Sequence, residues 1–369
     1  MTSYTGASVF DGTSLSDGPL HVDGQTISDG ASGQVVQLQG GYLLPGLLDL
    51  QVNGSGGHLV SGQSTASDLA LICTVQAKLG ATGVLPTLIT DTPEATASVI
   101  KAGIEATQAA VPGFLGLHLE GPHLDPRRKG AHDANLIRPM TDADLNRLCE
   151  GRKGLPALMV TLAPESATPA QIAELAAAGV VVSLGHSDCT LSAARAGFAA
   201  GATCVTHLFN AMSQLGHREP GLVGAALTDT AWCGLIADGH HVSTEAMQIA
   251  VAARPEGLFL VSDCMSPAGT DAREFSLGGR RILRQDGRLT LEDGTLAGAD
   301  LTLPQAMKIM VRRVGVSHET AFAMASSRPA AVLGRSDLGH LRPGAAADFI
   351  HLDEDFTLQS VWRAGRQIF

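Results

Sequence analysis

Between Leu43 and Ser266 the chain carries eight short apolar runs, most of them separated by a helix-like stretch. That rhythm limits the architectures open to it. The runs are LLPGLLDLQVNG from Leu43, TGVLPTLIT from Thr82, GFLGLHLEG from Gly113, LPALMVTLAPE from Leu155, GVVVSLGHS from Gly179, ATCVTHLFN from Ala202, CGLIADGHHV from Cys233 and LFLVSDCMS from Leu258. A run that is apolar throughout, instead of alternating, belongs to a strand buried on both faces, and such strands are typical of parallel sheets. The segments Thr168–Gly179 and Thr190–Gly201 each open on a threonine suited to cap a helix and close on glycine. Alternating strands and helices argue for an α/β fold. Eight strands match a TIM-like (β/α)8 barrel. A doubly wound open sheet is the other arrangement of this pattern, but it gathers ligands at one switch point, whereas here polar residues follow six or more strands. The expected fold is the barrel.

The 369 residues exceed what a barrel needs. Residues 1–43 are rich in Gly, Ser, Asp and Thr. Residues 341–369 begin LRPGAAADFIHLD, and both ends carry short strand-like stretches; the turn pairs Asp11-Gly12, Asp23-Gly24 and Asp29-Gly30 fall in the first. The expected organisation is one small β-sandwich domain made from both ends, around a barrel of residues 44–340. No stretch reaches the roughly 18 apolar residues of a membrane span, and MTSYTGASVFDG lacks a signal-peptide core, so the expected location is the cytoplasm with no membrane partner. Six cysteines without a CxxC pair read as reduced thiols. A net charge of −11 argues against a nucleic-acid partner; the densest basic cluster, Arg127-Arg128-Lys129, reads as a solvated loop. The Gly54-Ser55-Gly56-Gly57 string lacks the rest of a dinucleotide fingerprint.

Acidic and imidazole side chains recur just past the apolar runs. A catalytic zinc site takes three protein ligands and leaves a position open, and Glu120, His186 and His207 are the best three. Taken singly, Glu120 reads as a loop carboxylate, and either histidine as a hydrogen-bonded core residue. Together they end three strands of one barrel, and in a barrel such ends converge on one mouth. Asp263, past the last run, suits a general acid/base that takes a proton from attacking water and returns it to a leaving amine; its bland alternative is a helix cap.

The ordered set LHLEGP, GHS, THLFNAM, REPG, IADGHHV, VSDCMSPAG and GTLAG, with LPGLLDLQVNG near one end and LRPGAAADFIHLD near the other, resembles the N-acetylglucosamine-6-phosphate deacetylases of the amidohydrolase superfamily over most of the chain. The resemblance implies a (β/α)8 barrel with a small β-sandwich and hydrolysis of a sugar acetamide to acetate and glucosamine 6-phosphate. It also implies a divalent metal, zinc first, with Fe2+, Co2+ and Mn2+ as alternatives. Many amidohydrolases carry His-x-His at the end of the first strand, holding a second metal. Here the positions are Gln51 and Asn53, whose carbonyls are poor zinc ligands, so the resemblance is to the single-metal branch, with Glu120, His186 and His207 as ligands and Asp263 as acid/base.

By the same match His132 polarises the acetyl carbonyl, Asn210 and Ala211 meet phosphate or sugar, and Ala131, Leu296, Ala297 and Gly298 line the sugar pocket. Arg218 and His241 match phosphate-reading positions. Arg218 suits a phosphate dianion and is offered across a homodimer interface in this scheme; its bland alternative is an ion pair with Glu219. Two other activities keep part of the pattern. An amidohydrolase acting on another N-acyl substrate, such as N-acetylgalactosamine 6-phosphate or an N-acyl-D-amino acid, keeps the metal residues. A non-catalytic barrel keeps the fold but loses ligands or the acid/base.

Overall fold

The computed structural model describes residues 1–30 and 33–369 of the chain. Among these residues eight parallel strands stand side by side in sequence order. They are β1 (Leu47–Val52), β2 (Ala81–Ile89), β3 (Leu117–Glu120), β4 (Leu158–Leu162), β5 (Val181–Leu184), β6 (Cys204–Val205), β7 (Trp232–Leu235) and β8 (Leu258–Leu260). Each coincides with one of the eight apolar runs. Every residue of β1, β3 and β4 is buried, as expected where helices cover one face and the barrel interior the other. The ring closes between β1 and the segment after β8: Asn53 N–H donates to the Cys264 carbonyl at 2.9 Å and Asp263 N–H to the Gln51 carbonyl at 3.1 Å. Buried Asp49 fastens the same seam, both its oxygens accepting the Ser262 N–H at 3.2 Å.

Helices α1 (Ala66–Lys78), α2 (Pro93–Gln108), α3 (Asp142–Lys153), α4 (Pro169–Ala177), α5 (Leu191–Ala199), α6 (Gly221–Thr228), α7 (Thr244–Ala253) and α8 (Leu303–Ile309) follow strands β1 to β8 in turn. Most begin on a hydroxyl cap. Thr168 and Thr190 cap α4 and α5 as the sequence predicts. Thr65, Thr141, Thr168 and Thr302 form reciprocal capping boxes with Asp68, Asp144, Gln171 and Gln305. Each cap satisfies backbone donors that the first turn leaves open, a contribution of about 1 kcal/mol.

Two further sheets come from the ends of the chain. One orders Thr26–Ser28, Leu20–Asp23, Thr2–Thr5 and Gln34–Gln37; the other runs from Arg366–Gln367 through Leu358–Arg363, Phe349–Leu352, Tyr42–Pro45 and Ser8–Phe10 to Leu15–Ser16. Their side chains share a core in which Phe349 stacks on Trp362 at 4.5 Å and Tyr4 meets both rings edge-on at 5.1 Å. A fourth sheet, outside the sequence-based expectation, is inserted between β8 and α8: Glu274–Leu277, Arg280–Gln285, Arg288–Thr290 and Leu296–Ala299 pair antiparallel. Its turns carry Gly278-Gly279, Asp286-Gly287 and Asp293-Gly294, the first two as two-residue connections suited to tight hairpins. Its apolar face, Leu277, Ile282, Leu289 and Ala297, packs on Met265 beside the barrel mouth.

The turn after β3 is held from behind by α3. Asp144 serves the Thr141 cap and also receives both Arg138 and Arg147. Arg138 in turn donates its N–H to the Pro122 carbonyl and accepts from His123 Nδ1. Burial alone raises the Asp144 carboxyl, but the Arg138 and Thr141 bonds outweigh it and hold the group far below its usual range. Removing one partner of a fully buried pair costs about 3–5 kcal/mol. The arginine side chains here are 29% and 27% exposed, so Asp144→Ala should lower the unfolding free energy by about 2–3 kcal/mol in denaturant titration at pH 7. A carboxyl depressed in the fold stabilises above its unfolded value of about 3.9 and loses that contribution as pH falls through the folded value. The deficit of the variant should therefore shrink below pH ~4.

Candidate metal centre

Three side chains from three strand ends meet at one point inside the mouth. Glu120 Oε1 lies 3.1 Å from His186 Nε2 and 3.0 Å from His207 Nε2, and the two imidazole nitrogens are 3.1 Å apart. All three residues are buried. His186 Nδ1 faces the Arg128 carbonyl at 2.8 Å. A carbonyl only accepts, so Nδ1 carries a proton and Nε2 is the nitrogen left to face Glu120 and a metal. Lone pairs of a carboxylate and an imidazole at 3.1 Å call for a cation between them. The atom separations approach the edge of a tetrahedron with arms of 2.0–2.1 Å, roughly 3.3 Å, so the donor set fits a divalent metal with one carboxylate and two imidazole ligands. Burial raises the Glu120 carboxyl, but the bonds and charges of His186 and His207 hold it well below the usual range. His207 is disfavoured as a cation by burial, yet Glu120 raises it above its ordinary value.

The backbone reaches this geometry under strain. His186, His207 and Asp263 have φ of 47°, 31° and 50°, and Phe209 and Ala211 lie at 77° and 50°. Five of the nine non-glycine residues with positive φ among the described residues thus surround one point. Non-glycine residues rarely adopt this region, and where they do the surrounding structure must enforce it. The enforcing bonds are visible. Asp125 N–H donates to the His186 carbonyl and Ala299 N–H to the Asp263 carbonyl, at 2.8 and 2.9 Å. Arg127 pairs with Asp125, Glu165 and Asp188, and Arg128 with Asp188. The basic triplet is exposed at Arg127 and Lys129, as expected of a solvated loop, but its first two residues also tie the loop after β3 to the loop after β5.

Beneath the triangle a polar layer replaces the usual aliphatic barrel filling. His118 Nδ1 donates to the Leu50 carbonyl at 3.0 Å, so its Nε2 must accept from Thr161 Oγ1 at 2.7 Å. Thr161 then accepts from Thr206 and Thr206 from Ser183, both at 2.6 Å. Burial pushes His118 down to about 4, keeping it a neutral relay member. Every polar group in this chain has a partner, the condition under which a buried network rigidifies its surroundings.

Above the triangle opens a cavity of about 400 Å³, within the range of small-molecule sites. Glu120, Ala131, His132, His186, His207, Asn210, Ala211, His241, Asp263, Leu296, Ala297 and Gly298 all line it, so twelve of the thirteen residues singled out from sequence come together. The exception is Arg218, which is exposed and outside the lining. Among the described residues it makes no ion pair with Glu219, whose carboxylate instead accepts the N–H groups of Leu191 and Gly221. His123 is buried behind the turn and also stays out of the cavity.

Two histidines at the rim have defined orientations. His132 Nδ1 accepts from Thr90 N–H at 3.3 Å and meets the Thr90 hydroxyl at 2.7 Å. The lone pair is thus on Nδ1 and the neutral ring carries its proton on Nε2. Burial, then His186, pushes His132 down to about 3. Thr90 reaches it because Gly121, at φ 87°, has no Cβ; one added there would lie 2.2 Å from Thr90 Oγ1. Ligand atoms of Glu120, His132 and His186 also fall within 4.8 Å of one another. That spacing is wide for one ion, and the bonded Nδ1 of His132 favours His207 as the third ligand. His241 donates Nδ1–H to Asp238 at 2.6 Å, which leaves Nε2 for a ligand.

Asp263 lines the same cavity, and the Gln51 amide lies 3.2 Å from both Asp263 Oδ1 and Glu120 Oε2. Burial, then the charge of Glu120, raises the Asp263 carboxyl to about 6. Sequence reasoning missed Thr90, Met265 and Leu277 in this site, and missed Gln51 and Asn53 as hydrogen-bond donors to Asp263. The glycine pairs of the inserted hairpin were the available signal for Leu277.

The site's relatives are consistent with its chemistry. The chain is 38% identical over 335 residues to the N-acetylgalactosamine-6-phosphate deacetylase of Shewanella sp. (strain ANA-3), covering 90% of this chain and 84% of that one. It is 34% identical to the N-acetylglucosamine-6-phosphate deacetylase of Haemophilus influenzae, over 85% of this chain and 83% of the other. The crystal structure of N-acetylglucosamine-6-phosphate deacetylase from Pasteurella multocida superposes with a TM-score of 0.95 at 31% identity, covering 99% of both chains. A model of the amidohydrolase family matches residues 42–368, and the chain belongs to that family.

Proposed function

We propose that the chain hydrolyses the acetamide of N-acetyl-D-glucosamine 6-phosphate to D-glucosamine 6-phosphate and acetate, in amino-sugar catabolism or cell-wall recycling. The observation that carries this reading is the convergence of Glu120, His186 and His207 within 3.1 Å, with Asp263 lining the same cavity. N-acetylgalactosamine 6-phosphate is the second substrate to test, because the 38% identical relative carries that name.

One divalent metal per subunit is proposed, bound by Glu120, His186 and His207. Two imidazoles and a carboxylate suit zinc, with Fe2+, Co2+ and Mn2+ as alternatives. When bound, the ion supplies Lewis acidity, acidifying water and drawing charge from the acetyl carbonyl. His132 donates Nε2–H to the carbonyl oxygen as negative charge builds there. Asp263 takes the proton of the attacking water, and returns it to the nitrogen as the carbon–nitrogen bond breaks. Two carboxylates in one site, one held low and one raised, is the division of labour that acid/base catalysis needs. Ala131, Asn210, Ala211, Leu296, Ala297 and Gly298 surround the sugar.

His241, oriented by Asp238, meets the phosphate from within the cavity. Arg218 is exposed, and Leu215 beside it is 57% exposed, so this loop is proposed to enter a homodimer interface and offer the arginine to the partner's phosphate. No described helix is long and apolar enough to cross a membrane; the proposed location is the cytoplasm, with neither membrane nor nucleic acid as partner. The proposed domain division is residues 44–340 for the barrel, and 1–43 with 341–369 for the small domain.

Amine release by the zinc-loaded protein should be fast with N-acetylglucosamine 6-phosphate and at least about 100-fold slower with the unphosphorylated sugar, whose loss of a dianion contact of this kind costs roughly 3 kcal/mol. Equal rates for the two sugars would sink the phosphate assignment; faster turnover of the galacto epimer would transfer the name but keep the mechanism. Asp263→Asn should cut kcat by roughly 10³-fold or more while zinc, measured by elemental analysis, stays near one per chain. Retained turnover in that variant would remove Asp263 from the acid/base role.

A further inference from the structure

The Asp263 carboxylate enters the cavity with its two oxygens in different surroundings. Oδ1 accepts from Asn53 Nδ2 at 2.7 Å and from Gln51 Nε2 at 3.2 Å. Among the described residues no hydrogen bond reaches Oδ2. Gln51 Nε2 also donates to Glu120 Oε2 at 3.2 Å, so the two protons of one amide are divided between the two carboxylates of the site. The amide orientations follow from charge: turned the other way, each side chain would set a carbonyl oxygen against a carboxylate. Both amides are buried, Gln51 at 2% exposure and Asn53 at 3%. This leaves Asn53 Oδ1 buried with no partner among the described residues although its residue lines the cavity.

We propose that Gln51 and Asn53 are positioning residues that select which oxygen of Asp263 exchanges the proton. With Oδ1 fixed by two donors, the carboxylate cannot rotate about its last torsion without losing both bonds, and Oδ2 is the oxygen turned to the reactants. The two amides differ in reach. Among the described residues the Asn53 amide donates to Asp263, whereas the Gln51 amide spans Asp263 and the metal-facing Glu120. Seam bonds between the same backbone segments, Asp263 N–H to the Gln51 carbonyl and Asn53 N–H to the Cys264 carbonyl, keep the clamp in register with the barrel. This proposal rests on the deacetylase reading and assigns no new step to it: Asp263 still takes one proton from water and returns it to the amine.

The test compares Asn53→Ala and Gln51→Met, each assayed for sugar-phosphate deacetylation and for zinc affinity by competition with a chelating dye. Asn53→Ala should lower kcat about 100-fold with KM within about threefold and zinc affinity unchanged. Gln51→Met should lower kcat and also weaken zinc about tenfold or more, the usual effect of losing a partner of a metal ligand. In an Asp263→Asn background, Asn53→Ala should cost no further activity, because the group it positions is already gone. Wild-type kcat in Asn53→Ala, or the same loss with and without Asp263, would overturn the proposal. If Asn53→Ala fails to fold, the isosteric Asn53→Asp, which sets a second carboxylate against Oδ1, carries the test: wild-type kcat there would equally overturn it. A wild-type protein inactive on every sugar phosphate would instead reject the deacetylase reading itself.

Discussion

Three electron-rich atoms held within 3.1 Å of one another, Glu120 Oε1, His186 Nε2 and His207 Nε2, are the constraint around which the mouth of this barrel is built. Left alone, such atoms repel or must share a proton in a buried place, and the fold holds them together all the same. It does so with left-handed backbone at His186 and His207, with the Arg128 carbonyl that fixes the His186 tautomer, and with a floor of hydroxyl groups ending on His118. Each of these devices would be a liability in a purely structural core. A divalent cation at the centre makes them mutually consistent.

The second organising element is the crowding of three carboxylates, two at the β1–β8 seam and Glu120 at the end of β3. Asp49, Glu120 and Asp263 are all buried, and burial raises Asp49 to about 7 and Asp263 to about 6. Glu120 alone is drawn well below its usual range, because two imidazoles face it. The site therefore separates its acids by environment: one suited to bind a cation, one suited to pass a proton near neutral pH. Asp49 lies deeper, bonded to backbone N–H groups of Gln51 and Ser262, and holds the seam that sets Asp263 in place.

Much of this was legible in the sequence because the relevant signals are local. A strand buried on both faces is apolar along most of its length, so all eight barrel strands showed themselves. Threonine caps such as Thr168 and Thr190 are read from the four residues that make them. Glu120, His186, His207 and Asp263 stood out because each breaks an apolar run just as the chain leaves the barrel. What stayed hidden depends on partners far away in the chain. Arg128 looked solvated until Asp188, 60 positions on, was brought beside it. Gln51 and Asn53 read only as poor metal ligands; their role as donors to Asp263 spans more than 200 positions. The inserted hairpin sheet carried its glycine pairs openly, but nothing local said that it packs on Met265 at the mouth.

The most direct test of the account is anomalous X-ray diffraction at the zinc edge from crystals of the zinc-loaded protein. The account predicts one strong anomalous peak per chain, within coordinating distance of Glu120, His186 and His207. A peak lying instead between Gln51 and Asn53, or bound zinc found only at surface carboxylates, would contradict it.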